Sequence, residues 1–424
     1  MKQNGSDFRD RRRQLRVLHV VPSFFPAVGY GGPVKALLDL CKAQVKAGLS
    51  VRVLTSDADG KARLRHLSNR WTRAYGVQTF YARVRVGEDF PPGLVYRLPC
   101  ELLSADVVHV SGLWSPTSLL GLFLARCFQK KVVLAPHGAL LPWALDSESG
   151  RGRQAKMRAL RLLRPILDGV SGWHVSSQPE AEGVRALMRA GVLSDDAPIA
   201  QIEYGISLDE ATVSDAGFPK KRPQILFLGR VHKVKNLELA MHALAKLLPS
   251  EPELQLLVAG PAQDAAYKTQ LERLADSLHI RHAVTFCGLV GAEQKSDLFR
   301  TSKVLWLCSH MESFGMVVLE ALLHGTPVVA TLETPWDCLP QANVGEHVAA
   351  RPEAFAQATG KYLHLSDAEQ QALSQKCQRF VVENFAWSGL EKRLRDFYEQ
   401  ILKTPASIGA SDGAADEASA RGAG

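Results

Sequence analysis

The sequence lacks the cysteine pairs that staple or metallate small domains. Its 424 residues hold seven cysteines, at 41, 100, 127, 287, 308, 338 and 377, scattered and with no Cys-x-x-Cys spacing. An odd, dispersed set excludes a disulfide framework and a zinc ribbon, and it points to a reducing, cytoplasmic setting. Long apolar runs are absent as well. No stretch reaches eighteen uninterrupted apolar residues, so no membrane-spanning helix is expected. The basic start MKQNGSDFRDRRRQLR leads into no long apolar core, which speaks against a signal peptide. Short-period repeats are missing too. No basic, aromatic-interleaved module is present either, so nucleic acid is not an expected partner.

What is there is ordinary in amount and uneven in place. With 46% hydrophobic and 22% charged residues, the chain has the composition of a globular protein long enough for two or three domains. The formal charge of +8 divides into +12 over residues 1–204 and −4 over the rest. An even coat would serve solubility; this asymmetry suits a first half that faces something anionic.

Apolar runs of strand length alternate with helical patterns from end to end. RVLHVVP (16–22) reads as a buried strand, followed by a Gly-rich loop and a helix over 33–48, with Pro33 in its first turn and Gly48 at its stop. VRVLTS, DVVHVSG, KVVLAPHG and GWHVSS continue the series. The pattern pauses near residue 205 and restarts with QILFLGR, LQLLVAG, AVTFCGL, KVLWLCS and TPVVAT. Strands apolar throughout and separated by helices belong to parallel sheets covered on both faces. Two such series imply an α/β chain of two doubly wound, Rossmann-like domains with a cleft between them. The divisions expected are a basic extension at 1–15, domains at 16–204 and 205–384, an amphipathic helix at 385–402, and a disordered tail at 404–424.

Several short stretches carry chemistry. HMESFGMVVLEALLHGTPVV (310–329) puts Glu312 in a loop after a strand, Ser313, Phe314 and Gly315 at a helix start, and Glu320 within an apolar helix. Helix-start N–H groups suit a phosphate or sugar oxygen, and a carboxylate amid apolar residues needs polar partners such as ribose hydroxyls. Glu312 as a solvated loop residue and Glu320 as an outward helix position are the alternatives. FLGRVHKVKNL places Arg230 and Lys235 after a strand, as a diphosphate clamp or as plain surface charges. Gly29, Gly31 and Gly32 precede a helix, where bare backbone can approach a phosphate or merely turn. PHGALLPWAL sets His137 at a strand end facing the expected cleft, as a site residue or as a structural histidine.

In this order, GYGGPVKALLDL, PHGALLPWAL, FLGRVHKVKN, LVAGP, VTFCGLV, ESFGMVVLEALLHGTPVV and TPWDCL resemble the retaining nucleotide-sugar glycosyltransferases of sequence family 4, which have the GT-B fold. The resemblance runs from about residue 16 to residue 402. It implies a hexose transfer from a nucleoside diphosphate sugar to a glycan or lipid-linked saccharide acceptor, as in bacterial polysaccharide biosynthesis. The first domain would take the acceptor and the second the donor, and the C-terminal helix would cross back onto the first. By the same likeness His137 and Glu312 attend the transferred sugar, and Arg230 and Lys235 hold the diphosphate. Glu320 would meet the ribose and backbone near Val290 the base, while the bare backbone at Gly31 and Gly32 and the helix start at Ser313, Phe314 and Gly315 would add donor contacts by their free N–H groups. No cofactor beyond this co-substrate is implied. A nucleotide-sugar epimerase or phosphorylase on the same architecture, or a non-catalytic binding or assembly subunit, is the alternative.

Two departures stand out. Ser111 occupies a position where similar proteins often carry His, which bears on the acceptor side. Glu203, Tyr204 and Gly205 replace a Pro-Asn-Gly, a change expected to affect only the interdomain turn. The Asp-x-Asp of SDADG, Asp57 and Asp59, reads as an acidic turn rather than a metal site. RGRQAKMRALRLLRPIL (151–167) carries six cations and no acid, interleaved with Met157, Leu160, Leu162 and Leu163. It suits either a helix on an anionic membrane surface, with the protein peripheral there, or a packed helix with a solvated basic face.

Overall fold

Strands buried from end to end, such as Val107–Ser111, can satisfy both faces only under a layer of helices, and the chain builds two sheets on that plan. A computed structural model describes residues 14–60, 62–74, 76–85, 90–146, 150–207, 218–262 and 264–404. The expected extension and tail fall almost wholly outside these residues, as does 208–217 of the interdomain connection.

The first sheet has eight strands, in the order Ile199–Gln201, Gly172–Val175, Lys131–Ala135, Val107–Ser111, Arg16–Val20, Ser50–Ser56, Val77–Ala82 and Arg70–Ala74. All neighbours are parallel except the last pair. The second sheet has six parallel strands: Val284–Gly288, Gln255–Ala259, Arg222–Leu228, Ser302–Leu307, Val328–Thr331 and Gly345–Val348. In each sheet the chain winds to one edge and then returns to the other side of its starting strand. The resulting switch points lie between Arg16–Val20 and Val107–Ser111, and between Arg222–Leu228 and Ser302–Leu307. Loops at the carboxyl ends of such strands form the ligand crevice of open α/β sheets.

The chain crosses between the lobes twice, side by side. Ile206 N–H donates to the Phe385 carbonyl at 2.9 Å. A Cβ on Gly205 would stand 2.9 Å from that same oxygen and from the Trp387 ring, so only glycine fits. Helix Trp387–Lys403 then lies on the first lobe. There the Tyr398 hydroxyl meets Gln44 Nε2 at 2.9 Å and His109 Nδ1 at 2.7 Å, all three buried. Arg393 ties the same helix to Glu203 at 2.7 Å. Tyr204, Phe314, Trp336 and Trp387 belong to one buried cluster that also includes residues of both sheets.

Candidate functional site

Four loops converge where the carboxyl ends of the two sheets meet. In the second lobe, strand Ser302–Leu307 gives way to a loop closed by Gly315, whose φ of +90° starts helix Met316–Leu323. Trp336 Nε1–H holds the Phe314 carbonyl at 2.6 Å and fixes this loop from behind. Across the switch point, His232 caps the short turn Lys233–Lys235 by accepting from Val234 N–H at 3.2 Å. Left-handed Asn236, at φ +51°, closes the turn. His310 N–H donates to the Val234 carbonyl at 2.9 Å and joins the two loops.

That junction brings Lys235 and Glu312 together, 77 residues apart in sequence. Lys235 Nζ lies 2.5 Å from Glu312 Oε1, and the Ser309 hydroxyl donates to the same oxygen at 2.7 Å. Thr331 Oγ1 in turn anchors the Ser309 carbonyl at 2.6 Å. Glu320 is buried, and it too is paired: Lys295 Nζ meets its Oε1 at 2.6 Å. A carboxylate in an apolar helix is thus stabilised by a cation from helix Ala292–Thr301, and the outward position is ruled out. Arg230 follows strand Arg222–Leu228 after Gly229 and is part-buried, and Val290 is part-buried beyond Gly288. Gly31, at φ +79°, caps helix Gly32–Lys46. A Cβ on Gly32 would sit 3.5 Å from Met316, so two helix starts abut across the cleft.

The first lobe answers with neutral groups. His137 adopts φ +52° and Gly138 φ +80°, a left-handed pair that a non-glycine residue enters only when its surroundings demand it. Buried Glu180 supplies that demand: its Oε1 accepts Gly138 N–H at 2.5 Å. Its Oε2 accepts Ser176 N–H at 2.8 Å. The Ser176 hydroxyl lies 2.9 Å from Glu180 Oε2 and 3.1 Å from the Ser313 carbonyl, and so links the two lobes. Burial raises the Glu180 carboxyl above its ordinary range against the opposing pull of these donors. His137 Nδ1 lies 2.6 Å from the Tyr204 hydroxyl, while its Nε2 is sealed from solvent with no hydrogen-bond partner. Burial, and secondarily His174, pushes this imidazole down to about 3, so it is neutral at any working pH.

The structure therefore brings His137, Glu312, Ser313, Phe314, Gly315, Lys235, Gly31 and Gly32 together at the junction of the two lobes, with Glu320 four residues into helix Met316–Leu323. Four partners were not read from the sequence as site residues. Lys295 looks like a surface cation, and Glu180 looks like a first-turn carboxylate after the N-cap Ser177. Trp336 falls in TPWDCL, which carries the family resemblance without marking a site residue. Tyr204 corrects an expectation, since it does not merely shape the interdomain turn but hydrogen-bonds His137. Ser111 ends its strand buried, its Oγ without a partner. Asp57 and Asp59 hold backbone and a hydroxyl. Asp57 accepts from Val84 N–H at 2.9 Å and from Ser68, and Asp59 accepts from Gly29 N–H at 2.7 Å.

Residues 31–204 match the model of the glycosyl transferase 4-like domain, and residues 209–380 that of glycosyl transferases group 1. The two matches together span most of the chain, both are to glycosyl transferase models, and the fold is GT-B. Among similar proteins, the D-inositol 3-phosphate glycosyltransferase of Corynebacterium urealyticum is 29% identical, over 72% of this chain and 73% of its own length. That of Streptomyces griseus is 28% identical, over 49% of this chain. The chain spans half the length of this Streptomyces relative and about a third of others of that name. The GT-B fold recurs in the sucrose-phosphate synthase of Thermosynechococcus elongatus, with TM-score 0.67 and 20% identity over 92% of this chain and 99% of that one. It recurs also in HepE of Anabaena, solved with UDP and glucose, with TM-score 0.66 and 17% identity over 91% and 100%.

Proposed function

We propose that this GT-B protein moves a hexose from a nucleoside diphosphate sugar to a glycan or lipid-linked saccharide, with retention of configuration and without a metal. The observation that carries the reading is the junction at which Lys235 and Glu312 of one lobe face the His137–Gly138 turn of the other through Ser313. Lys235 and Arg230 neutralise the leaving diphosphate, helped by the amino end of helix Met316–Leu323. Glu312 and His137 take the transferred sugar, and Glu320 takes the ribose once Lys295 shares it. Glu312 is already engaged by a lysine and a serine, an arrangement suited to binding sugar hydroxyls rather than to forming a covalent bond. The acceptor then attacks from the face the diphosphate leaves.

The basic first lobe suits an anionic acceptor, whether lipid-linked or, as the names of the curated relatives suggest, a small phosphorylated polyol. Nucleotide release from a nucleoside diphosphate sugar should require acceptor and should survive EDTA. Release without any acceptor would favour an epimerase or phosphorylase. Loss on chelation, with restoration by Mn²⁺ or Mg²⁺, would contradict the metal-free reading.

Among the described residues no helix is long and apolar enough to cross a membrane. Helix Gly150–Leu167 packs Met157, Leu160 and Leu163 inward, leaving Leu162 81% exposed beside Arg158 and Arg161. This face is proposed to rest on anionic lipid at the cytoplasmic side, each cation contributing about 1 kcal/mol near such a surface. Replacing Arg158, Arg161 and Arg164 with glutamine should release the protein from anionic vesicles at low salt. Unchanged pelleting would leave a packed helix with a solvated face.

A further inference from the structure

His137 and Tyr204 stand 67 residues apart in sequence and meet through a single hydrogen bond of 2.6 Å, from the phenol oxygen to Nδ1. The rings stack with centroids 5.7 Å apart and planes 20° apart, and the phenol ring stands nearly perpendicular to Phe314 of the other lobe, with centroids 5.8 Å apart. One proton can occupy this bond in two ways. If Tyr204 donates, the imidazole carries its hydrogen on Nε2. If Nδ1 donates, the phenol hydrogen needs another acceptor, and among the described residues none lies within reach of it. The second arrangement strands both the phenol hydrogen and the Nε2 lone pair in a buried site. The first strands only the Nε2 hydrogen. Each stranded buried group forfeits its hydration without return, so the first arrangement wins.

We propose that Tyr204 is a positioning residue that fixes His137 as its Nε2–H tautomer, so that, once a bound donor opens a path to the nitrogen that is sealed in the free protein, the first lobe offers the transferred group a hydrogen-bond donor. The role of the donor rests on the transferase reading, and it selects a sugar bearing an oxygen acceptor at that contact. Protonation does not compete, because burial keeps the imidazole neutral. The tautomer is therefore what the contact controls.

Nitrogen-15 NMR of histidine-labelled free protein reads the tautomer without any sugar. The His137 signals are assigned by their loss in His137→Ala. The parent should show a pyrrole-type Nε2 and an acceptor-type Nδ1, and in Tyr204→Phe the two shifts should move toward each other. In turnover, Tyr204→Phe should lower kcat roughly ten- to hundredfold, with affinity for the free nucleoside diphosphate within about twofold. In the His137→Ala background the same change should alter kcat less than about twofold, because its route of action is gone. A parent spectrum with hydrogen on Nδ1 would overturn the proposal, as would an unmoved tautomer in Tyr204→Phe or a full loss persisting without His137. Should Tyr204→Phe not fold, the parent spectrum decides. Because it is read without donor, a failed transferase assignment shows in turnover alone.

Discussion

The two lobes bring opposite electrostatics to one crevice. The second lobe presents ion pairs, Lys235 with Glu312 and Lys295 with Glu320, set on loops and helix faces within reach of solvent. The first presents neutral rings, with His137 hydrogen-bonded to Tyr204 and a buried run from His19 through Gln44, Tyr398 and His109 to His174. Paired charges can exchange partners with a diphosphate and a ribose at small cost, since a substrate replaces one counter-charge or hydrogen bond by another. Neutral buried groups cannot attract a charged leaving group, but they direct hydrogen bonds with little reorganisation. On the proposed reading, the contrast would divide the labour: the ion-paired groups of the second lobe would hold the donor, and the neutral rings that the first lobe brings to the junction would steer the sugar.

Acid should break this contrast most severely. Burial pushes His109 well below 6.5, His19 and His174 to about 4, and His137 to about 3. The hydrogen bond to the Ile202 backbone and then Glu203 pull His174 upward and Arg393 pulls it downward, but burial dominates. In the unfolded chain these imidazoles take up protons near their ordinary value. Between about pH 6.5 and 4 the unfolded state therefore binds more protons, and stability falls as pH falls. Each histidine contributes up to about 1.4 kcal/mol per pH unit inside that window. Denaturant melts at pH 7 and pH 5 should differ by several kcal/mol, and substitution of His174 by asparagine should flatten the slope. Equal stability at both pH values would mean the imidazoles are not held neutral.

Next in size is the effect on transfer. Glu312→Ala and His137→Ala should each slow turnover about 10²–10³-fold, the loss typical of one directed group at a transition state. They should differ in a smaller way. Glu312→Ala frees Lys235 for the diphosphate, so nucleotide affinity should hold or rise. His137→Ala should leave it unchanged. A nucleotide affinity that falls in Glu312→Ala would show that Glu312 organises Lys235 rather than competing for it.

How much of this was legible in the sequence follows the range of each interaction. The parallel sheets could be read because a strand buried on both faces is apolar at every position, as in KVLWLC, where the strand Ser302–Leu307 forms. The loop residues Glu312 to Gly315 could be placed because a strand, a turn and a helix succeed one another within a few residues. Partners brought in from afar left no such trace. Lys235 reaches Glu312 across 77 residues, Glu180 reaches Gly138 across 42, and Tyr204 reaches His137 across 67. Nothing local in EYGI or AEQKSD marks Tyr204 or Lys295, since each gains its meaning only from the lobe or helix it faces. The positive φ of His137 was equally hidden, because it is imposed by Glu180 rather than by its neighbours.

The division of labour stands or falls on calorimetric titration of the free nucleoside diphosphate into the parent, Lys235→Ala, Arg230→Ala and His137→Ala proteins. A charge-assisted hydrogen bond is worth about 1.5–3 kcal/mol, so loss of either cation should weaken binding roughly 10- to 150-fold. His137→Ala should bind within about twofold of the parent while its turnover collapses. If His137→Ala instead loses nucleotide affinity as far as Lys235→Ala does, or if both cation variants bind like the parent, the lobes do not divide holding from steering.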